Sequence, residues 1–318
     1  MPSRRSLAVL LALGLMLGAS GGTTYAAFSS LASNGGNAFS AAPDLIPPAA
    51  TASTIAKATG YLAGRIRPGG TFHVYAEASD DGNPPSGVAS ITADVSAISS
   101  GATAVPLVAG SYSAEGVAYG YRSASLSADP ALPEGTYAYT LTLTDAAGNA
   151  VTQAGFSVVV DATPPGGVDV QTANGGTTPG RPEAGDRVTF TFSERIDPAS
   201  VLAGWDGSAT AVQVRIVNAG ANDTLQVRAA GGTPVLPLGS VALGGDYVAR
   251  TRNFNGSTMV QAGAVISITL GTPSGATRTV ATPAAMTWTP SAGAFDAAEN
   301  PALTAPVLES APPLDVEF

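Results

Sequence analysis

Apolar side chains return at every second residue along much of this chain, and a period of two fits one kind of secondary structure. Tyr137, Tyr139, Leu141 and Leu143 alternate with Ala138, Thr140, Thr142 and Thr144. Phe72, Val74, Ala76 and Ala78 alternate with Thr71, His73, Tyr75 and Glu77, and Ile91, Ala93 and Val95 alternate with Ser90, Thr92 and Asp94. Phe156, Val158 and Val160 repeat the pattern. So do Val188, Phe190 and Phe192, then Val212, Val214 and Ile216, then Leu225 and Val227, then Ile266, Ile268 and Leu270. A strand turns successive side chains to opposite faces, so each run offers one face to a core and one to water. Turn-forming residues separate the runs at Asp80 to Gly87, Pro133-Glu134-Gly135 and Asp145 to Asn149. Many short strands with regular turns predict an all-β sandwich architecture, with one helical turn over Ser200 to Leu202.

Composition agrees and removes several functions. Hydrophobic residues make up 45% of the chain, enough for a sizeable core, while charged residues make up only 12%. A dominant coiled coil would need heptads rich in Glu, Lys and Leu, which are missing. The net charge of −9 disfavours nucleic-acid binding through phosphate neutralisation. Without cysteine there is no disulfide framework, thiolate catalysis or cysteine zinc site. Lys57 is the only lysine.

The first 26 residues read as a signal peptide. Arg4 and Arg5 form a basic start, and Leu7 to Leu17 is an apolar stretch too short for a stable bilayer anchor. Small residues then lead to Thr24-Tyr25-Ala26, which places cleavage between Ala26 and Ala27. The expected product is secreted or held at the cell surface, with no stable membrane span after cleavage. Ser3-Arg4-Arg5-Ser6-Leu7 also has some likeness to a twin-arginine signal, so the export route stays open.

Beyond the cleavage position, Thr24-Tyr25-Ala26-Ala27-Phe28-Ser29, Asn34 to Asn37 and Phe39-Ser40-Ala41-Ala42-Pro43-Asp44-Leu45 resemble the start of camelysin/TasA-type exported proteins, with their SipW-dependent-type signal peptides. The resemblance covers about the first 45 residues. It implies an extended segment over 27–48 able to pair as a strand with a sandwich edge, its own or a neighbour's. A flexible leader is the other reading of that segment.

Two modules follow Pro47-Pro48. In residues 49–162, Leu132-Pro133-Glu134-Gly135-Thr136-Tyr137, Thr144-Asp145-Ala146-Ala147-Gly148-Asn149 and the loop from Asp80 to Val88 resemble bacterial immunoglobulin-like (Ig-like) domains. Asp161-Ala162-Thr163-Pro164-Pro165 resembles the linker between such domains. In residues 163–318, Phe192-Ser193-Glu194-Arg195-Ile196-Asp197-Pro198-Ala199-Ser200-Val201 resembles the Ig-like modules of surface-layer and adhesin proteins. Asp296 to Asn300 reads as a shortened relative of the Asp145 turn. The implied fold is two tandem Ig-like β-sandwiches.

Candidate chemistry is sparse. His73 is the only histidine, with no Gly-x-Ser-x-Gly elbow beside it, and reads as an exposed strand residue. A histidine-based zinc site needs several such ligands. Asp80, Asp81, Asp145 and Asn149 offer oxygen ligands at one sandwich end, which calcium could use; no other cofactor is implied. The same residues cap tight turns through their own backbone, so both readings stand. Glu134 and Glu194 could in principle form a glycosidase pair, but Glu134 has a turn role and Glu194 ends a strand. Trp288 reads as core, whereas Trp205 lies in a loop where it could stack on a glycan. The expectation is a non-enzymatic structural or adhesive protein whose partners are other surface or matrix proteins or further copies of itself. A carbohydrate- or calcium-binding module is the alternative.

Overall fold

The computed structural model describes residues 43–310 and 318. The signal region, the Ala26–Ala27 cleavage position and Phe28 to Ala42 lie outside the described residues. From Pro43 onward the chain is one compact unit with two separate large cores.

The first sandwich has nine strands: β1 (Ala49–Lys57), β2 (Arg65–Ile66), β3 (Thr71–Ser79), β4 (Val88–Asp94), β5 (Val105–Ala114), β6 (Val117–Ser123), β7 (Leu126–Ser127), β8 (Gly135–Asp145) and β9 (Ala150–Val160). Their order is β1-β3-β6-β5-β4-β8-β9-β2, with β7 also on β3. All pairs are antiparallel except β2 on β9. β1 packs beside β9, so the sheet curls nearly closed around its core.

The second sandwich has ten: β10 (Gly167–Ala173), β11 (Arg187–Phe192), β12 (Thr210–Val217), β13 (Thr224–Ala229), β14 (Val235–Ala242), β15 (Arg252–Ala262), β16 (Val265–Thr269), β17 (Thr272–Pro273), β18 (Thr287–Thr289) and β19 (Val307–Leu308). Their order is β10-β11-β16-β15-β12-β13-β14-β18-β19, with β17 on β15, and β10 lies beside β19. The single helical turn is α1 (Pro198–Val201). Asp197 caps it, accepting from the Ala199 N–H, and Pro198 opens it, where the missing N–H costs nothing.

The alternation predicted from sequence sets the cores. Phe72, Val74, Ile91, Leu141, Leu143 and Val158 fill the first; Phe190, Phe192, Val214, Ile268 and Trp288 fill the second. Trp288 is fully buried, edge-on to Phe190 and Phe192 with ring centroids 5.2 and 4.9 Å away.

Three sequence readings change. Tyr75, assigned to the wet face, is only 6% exposed, because Tyr119, Ala56 and Ala114 form a small second layer over it. His73 is half-buried rather than exposed, its Nδ1 3.0 Å from the Ser123 carbonyl oxygen. The Asp296 turn is not shortened, since it spans the same five residues as the Asp145 turn.

Truncating Trp288 to Ala should cost about 3–5 kcal/mol, the usual price of emptying a large aromatic site in a packed core. Urea unfolding followed by far-ultraviolet circular dichroism measures it. A loss below ~1 kcal/mol would mean the second core is not packed around this ring.

Candidate functional site

Where the sandwiches meet, the only lysine is spent. Lys57, the last residue of β1, reaches into the second sandwich and pairs with Asp197, the cap of α1. The two side chains are 2% and 0% exposed. The ammonium also donates to the Leu62 carbonyl at 3.2 Å and the Ala297 carbonyl at 2.9 Å, which gives each of its three protons an acceptor. Asp197 in turn accepts from the N–H groups of Tyr61 at 3.0 Å, Leu62 at 3.1 Å and Ala199 at 2.9 Å. Removing two charges from water is costly, and this shell of partners compensates. Gly60 makes room, because a Cβ there would stand 2.5 Å from both Asp197 Oδ2 and Lys57 Cε. At the rim, Thr59 bonds Glu299, and Arg195 faces Glu115 across 3.7 Å.

The linker is held as well. Glu134 accepts from Ala162 N–H at 3.0 Å and from the Thr163 hydroxyl at 2.7 Å. Asn300 donates to the Asp161 carbonyl at 3.0 Å. This last contact has a twin at the other end of the first sandwich, where Asn149 donates to the Asp44 carbonyl, also at 3.0 Å. Asp44-Leu45-Ile46-Pro47-Pro48 and Asp161-Ala162-Thr163-Pro164-Pro165 share one pattern, and each leads into the first strand of a sandwich. The turns that receive them match too. Asn149 binds Asp145 through N–H and Nδ2, both at 2.7 Å, and Asn300 binds Asp296 through the same atoms, both at 2.8 Å. The fourth position of each turn is left-handed, with Gly148 at φ 92° and Glu299 at φ 72°.

Each sandwich therefore gathers three acids at its entry end: Asp44, Asp80 and Asp145 in the first, Asp161, Glu194 and Asp296 in the second. In each set one carboxylate oxygen per residue lies within 4.8 Å of the others. Calcium holds oxygens at about 2.3–2.6 Å, so ligands on opposite sides of the ion stand about that far apart. Calcium takes six to eight oxygens, so carbonyls or water would complete either shell.

The two sets differ in solvation. Hydrogen bonds from Ile46 N–H and then Ser86 hold the Asp44 carboxyl below its usual range. Glu194 is pushed up to about 7, first by burial and then by the charges of Asp161 and Asp296, against a weaker pull from Arg65. Burial also raises Asp296, over the opposing bonds from Asn300 and Ala298. Glu194 opens onto a cleft of about 220 Å³ at the junction, lined also by Leu62, Ala63, Arg65, Glu115, Arg195 and Ala297.

Of the residues singled out in the sequence, Asp80 and Asp145 come together. Asp81 stands exposed outside the cluster, and Asn149 serves the turn by binding Asp145 and the Asp44 carbonyl. Asp80 also accepts from Gly82, Ser86 and Gly87 N–H groups, the turn-capping role weighed against metal binding. The third member, Asp44, was missed because it sits in the linker; the repeated Asp-x-x-Pro-Pro pattern was the available signal. Trp205 is 4% exposed, and its Nε1 donates to the Ser208 carbonyl at 2.6 Å, so neither tryptophan presents a face for a sugar. No protein-family model, curated protein or solved structure matches the chain significantly.

Two predictions follow from this geometry. Asp197→Ala strands a buried ammonium and should cost about 3–5 kcal/mol, whereas Lys57→Met with Asp197→Leu should recover only the part due to the stranded charge, since the Tyr61, Leu62 and Ala199 N–H groups still lose their acceptor. A double-mutant cycle in urea reads the coupling. For pH, a carboxyl raised in the fold keeps its proton where the unfolded chain has lost it. Stability from Glu194 is therefore full below about 4.5 and falls as pH rises towards about 7. Melting temperatures in chelator should decline across that window, and Glu194→Gln should flatten the decline. A slope unchanged by the substitution would contradict the assignment.

Proposed function

We propose that the chain is an exported, non-catalytic structural or adhesive protein of the cell surface or extracellular matrix, built from two Ig-like modules. The observation that carries this reading is the junction. A buried ion pair with every proton matched, a bonded linker and a rim of side-chain contacts hold the two sandwiches as one body. That design suits a spacer that must hold a fixed geometry. The basic and apolar start of the sequence, with its small-residue cleavage pattern, supports export. Fractionation of the producing cells tests it: the protein should occur in the medium or in a protease-accessible surface fraction, cleaved before Ala27. An uncleaved cytosolic protein would overturn the reading.

One observation favours a second property. Glu194 and Asp296 are desolvated acids, and the charge of Asp296 raises Glu194 against a weaker pull from Arg65; a calcium ion would relieve that repulsion. Millimolar calcium should raise the melting temperature over that in chelator, because a ligand bound only by the folded state stabilises it. Glu194→Gln should shrink the rise. No shift at millimolar calcium would remove calcium from the account.

A further inference from the structure

The entry ends of the two sandwiches are alike in framework and opposite in coverage. In the second, Ala297 and Ala298 of the turn are 8% and 1% exposed, because the first sandwich lies on them through Lys57 and the loop that follows it. In the first, the same positions, Ala146 and Ala147, are exposed, as are Gly148 and the linker residues Leu45 (75%) and Ile46 (51%). The molecule thus contains one worked example of how such an end is covered: a sandwich end bearing cations sits on it, with Lys57 on Asp197 and Arg65 on Asp161. Among the described residues nothing covers this end of the first sandwich, which carries Asp44, Asp80, Asp81 and Asp145, and its loops 43–48, 80–88 and 145–149 contain no lysine or arginine.

The opposite end of the molecule carries exposed arginines. By strand direction, the loops at 174–186, 243–251 and 270–286 lie at the end of the second sandwich away from the junction. They meet one another there, with Val280 N–H on the Gly180 carbonyl and Arg278 N–H on the Tyr247 carbonyl. Arg187, Arg250 and Arg252 stand at this end without a carboxylate partner among the described residues, and Arg187 and Arg250 are exposed. Among the described residues its acids are Glu183, paired with Arg181, Asp246, paired with Arg278, and Asp186 and Asp223, which are fully buried and take backbone N–H groups.

We propose that copies of this chain associate head to tail, the acidic entry end of the first sandwich docking on the arginine-bearing far end of the second. A contact between two different surfaces does not close on itself by a two-fold axis, so it propagates. The idea deepens the structural role proposed above, but its test is separate, since a surface protein can be monomeric and a cytosolic one can polymerise.

Sedimentation velocity of the purified full chain, in chelator, tests it. At low salt the sedimentation coefficient should rise with concentration beyond that of a dimer. At about 0.5 M salt, where screening reaches a few ångströms, it should return to the monomer value. Asp81→Arg and Arg250→Glu change exposed side chains, and unchanged melting curves confirm that each variant folds. Each alone should weaken association about tenfold or more, because like charges then face one another. Mixed one to one, the two variants should assemble again, each head facing a complementary tail. Monomers at every concentration and salt would overturn the proposal. So would association that ignores both reversals, or that stops at a symmetric dimer.

Discussion

The Lys57–Asp197 pair is the contact on which the architecture turns. Positive charge is otherwise carried by arginine, with thirteen in the chain against one lysine. The exception has a chemical reason. The site supplies three acceptors, namely the Asp197 carboxylate and the carbonyls of Leu62 and Ala297, converging on one point. An ammonium is compact and has three donors, so it leaves none unmatched. A guanidinium has five donors in a plane and would bury at least two without partners. The same carboxylate caps α1 and takes the Tyr61 and Leu62 N–H groups. One side chain therefore orders the helical turn of one sandwich, the loop of the other and the charge between them.

The repeated entry end shows how environment changes the meaning of a motif. Asp145 to Asn149 and Asp296 to Asn300 make the same hydrogen bonds, and in each the asparagine Nδ2 donates to the carbonyl of the aspartate that opens the linker. Yet a whole sandwich sits on the second set, and burial raises Glu194 and Asp296, whereas hydrogen bonds from Ile46 N–H and then Ser86 lower Asp44. The covering also alters the turn. The left-handed fourth position is Gly148 where nothing leans on it, and is Glu299 where the side chain is used to hold Thr59 across the junction. A non-glycine residue in that conformation is costly, and the contact across the junction offsets part of the cost.

The all-β class, the two-core division and most core strands were legible, because runs such as Phe72 to Ala78 and Val188 to Phe192 bury one face against a single core. Tyr75 was misassigned because a second, smaller layer covers the outer face, and no period of two encodes a second layer. Two hairpin strands left few marks. In β5 a register shift between Ala109 and Tyr112 breaks the alternation, and Val108 to Ser111 are exposed. In β15 the register with β12 shifts between Val212 and Val214, with the same effect. The acidic turns could be read, but the cluster could not. Asp44 and Asp80 are brought together by linker entry, and Asp161 meets Glu194 only once the second sandwich has folded against the first. The junction was beyond reach for the same reason, since nothing near Lys57 in sequence names Asp197, 140 residues away, as its partner.

The linker prolines restrict local rotation, yet they do not fix the angle between the sandwiches. That angle is set by contacts made at a distance from the linker: Asn300 on the Asp161 carbonyl, Glu134 on Ala162 and Thr163, and Lys57 in its buried site. Beside these constraints sits Glu194, a carboxyl pushed up to about 7 by burial and by its acidic neighbours. A flexible proline hinge would stay flexible in any solvent. A junction built from ionisable side chains has a stability that follows protonation, because each charge gained or lost there changes the energy of keeping the two sandwiches in contact. The pH dependence of the junction is thus carried by side chains such as Glu194, and not by the backbone of the connection.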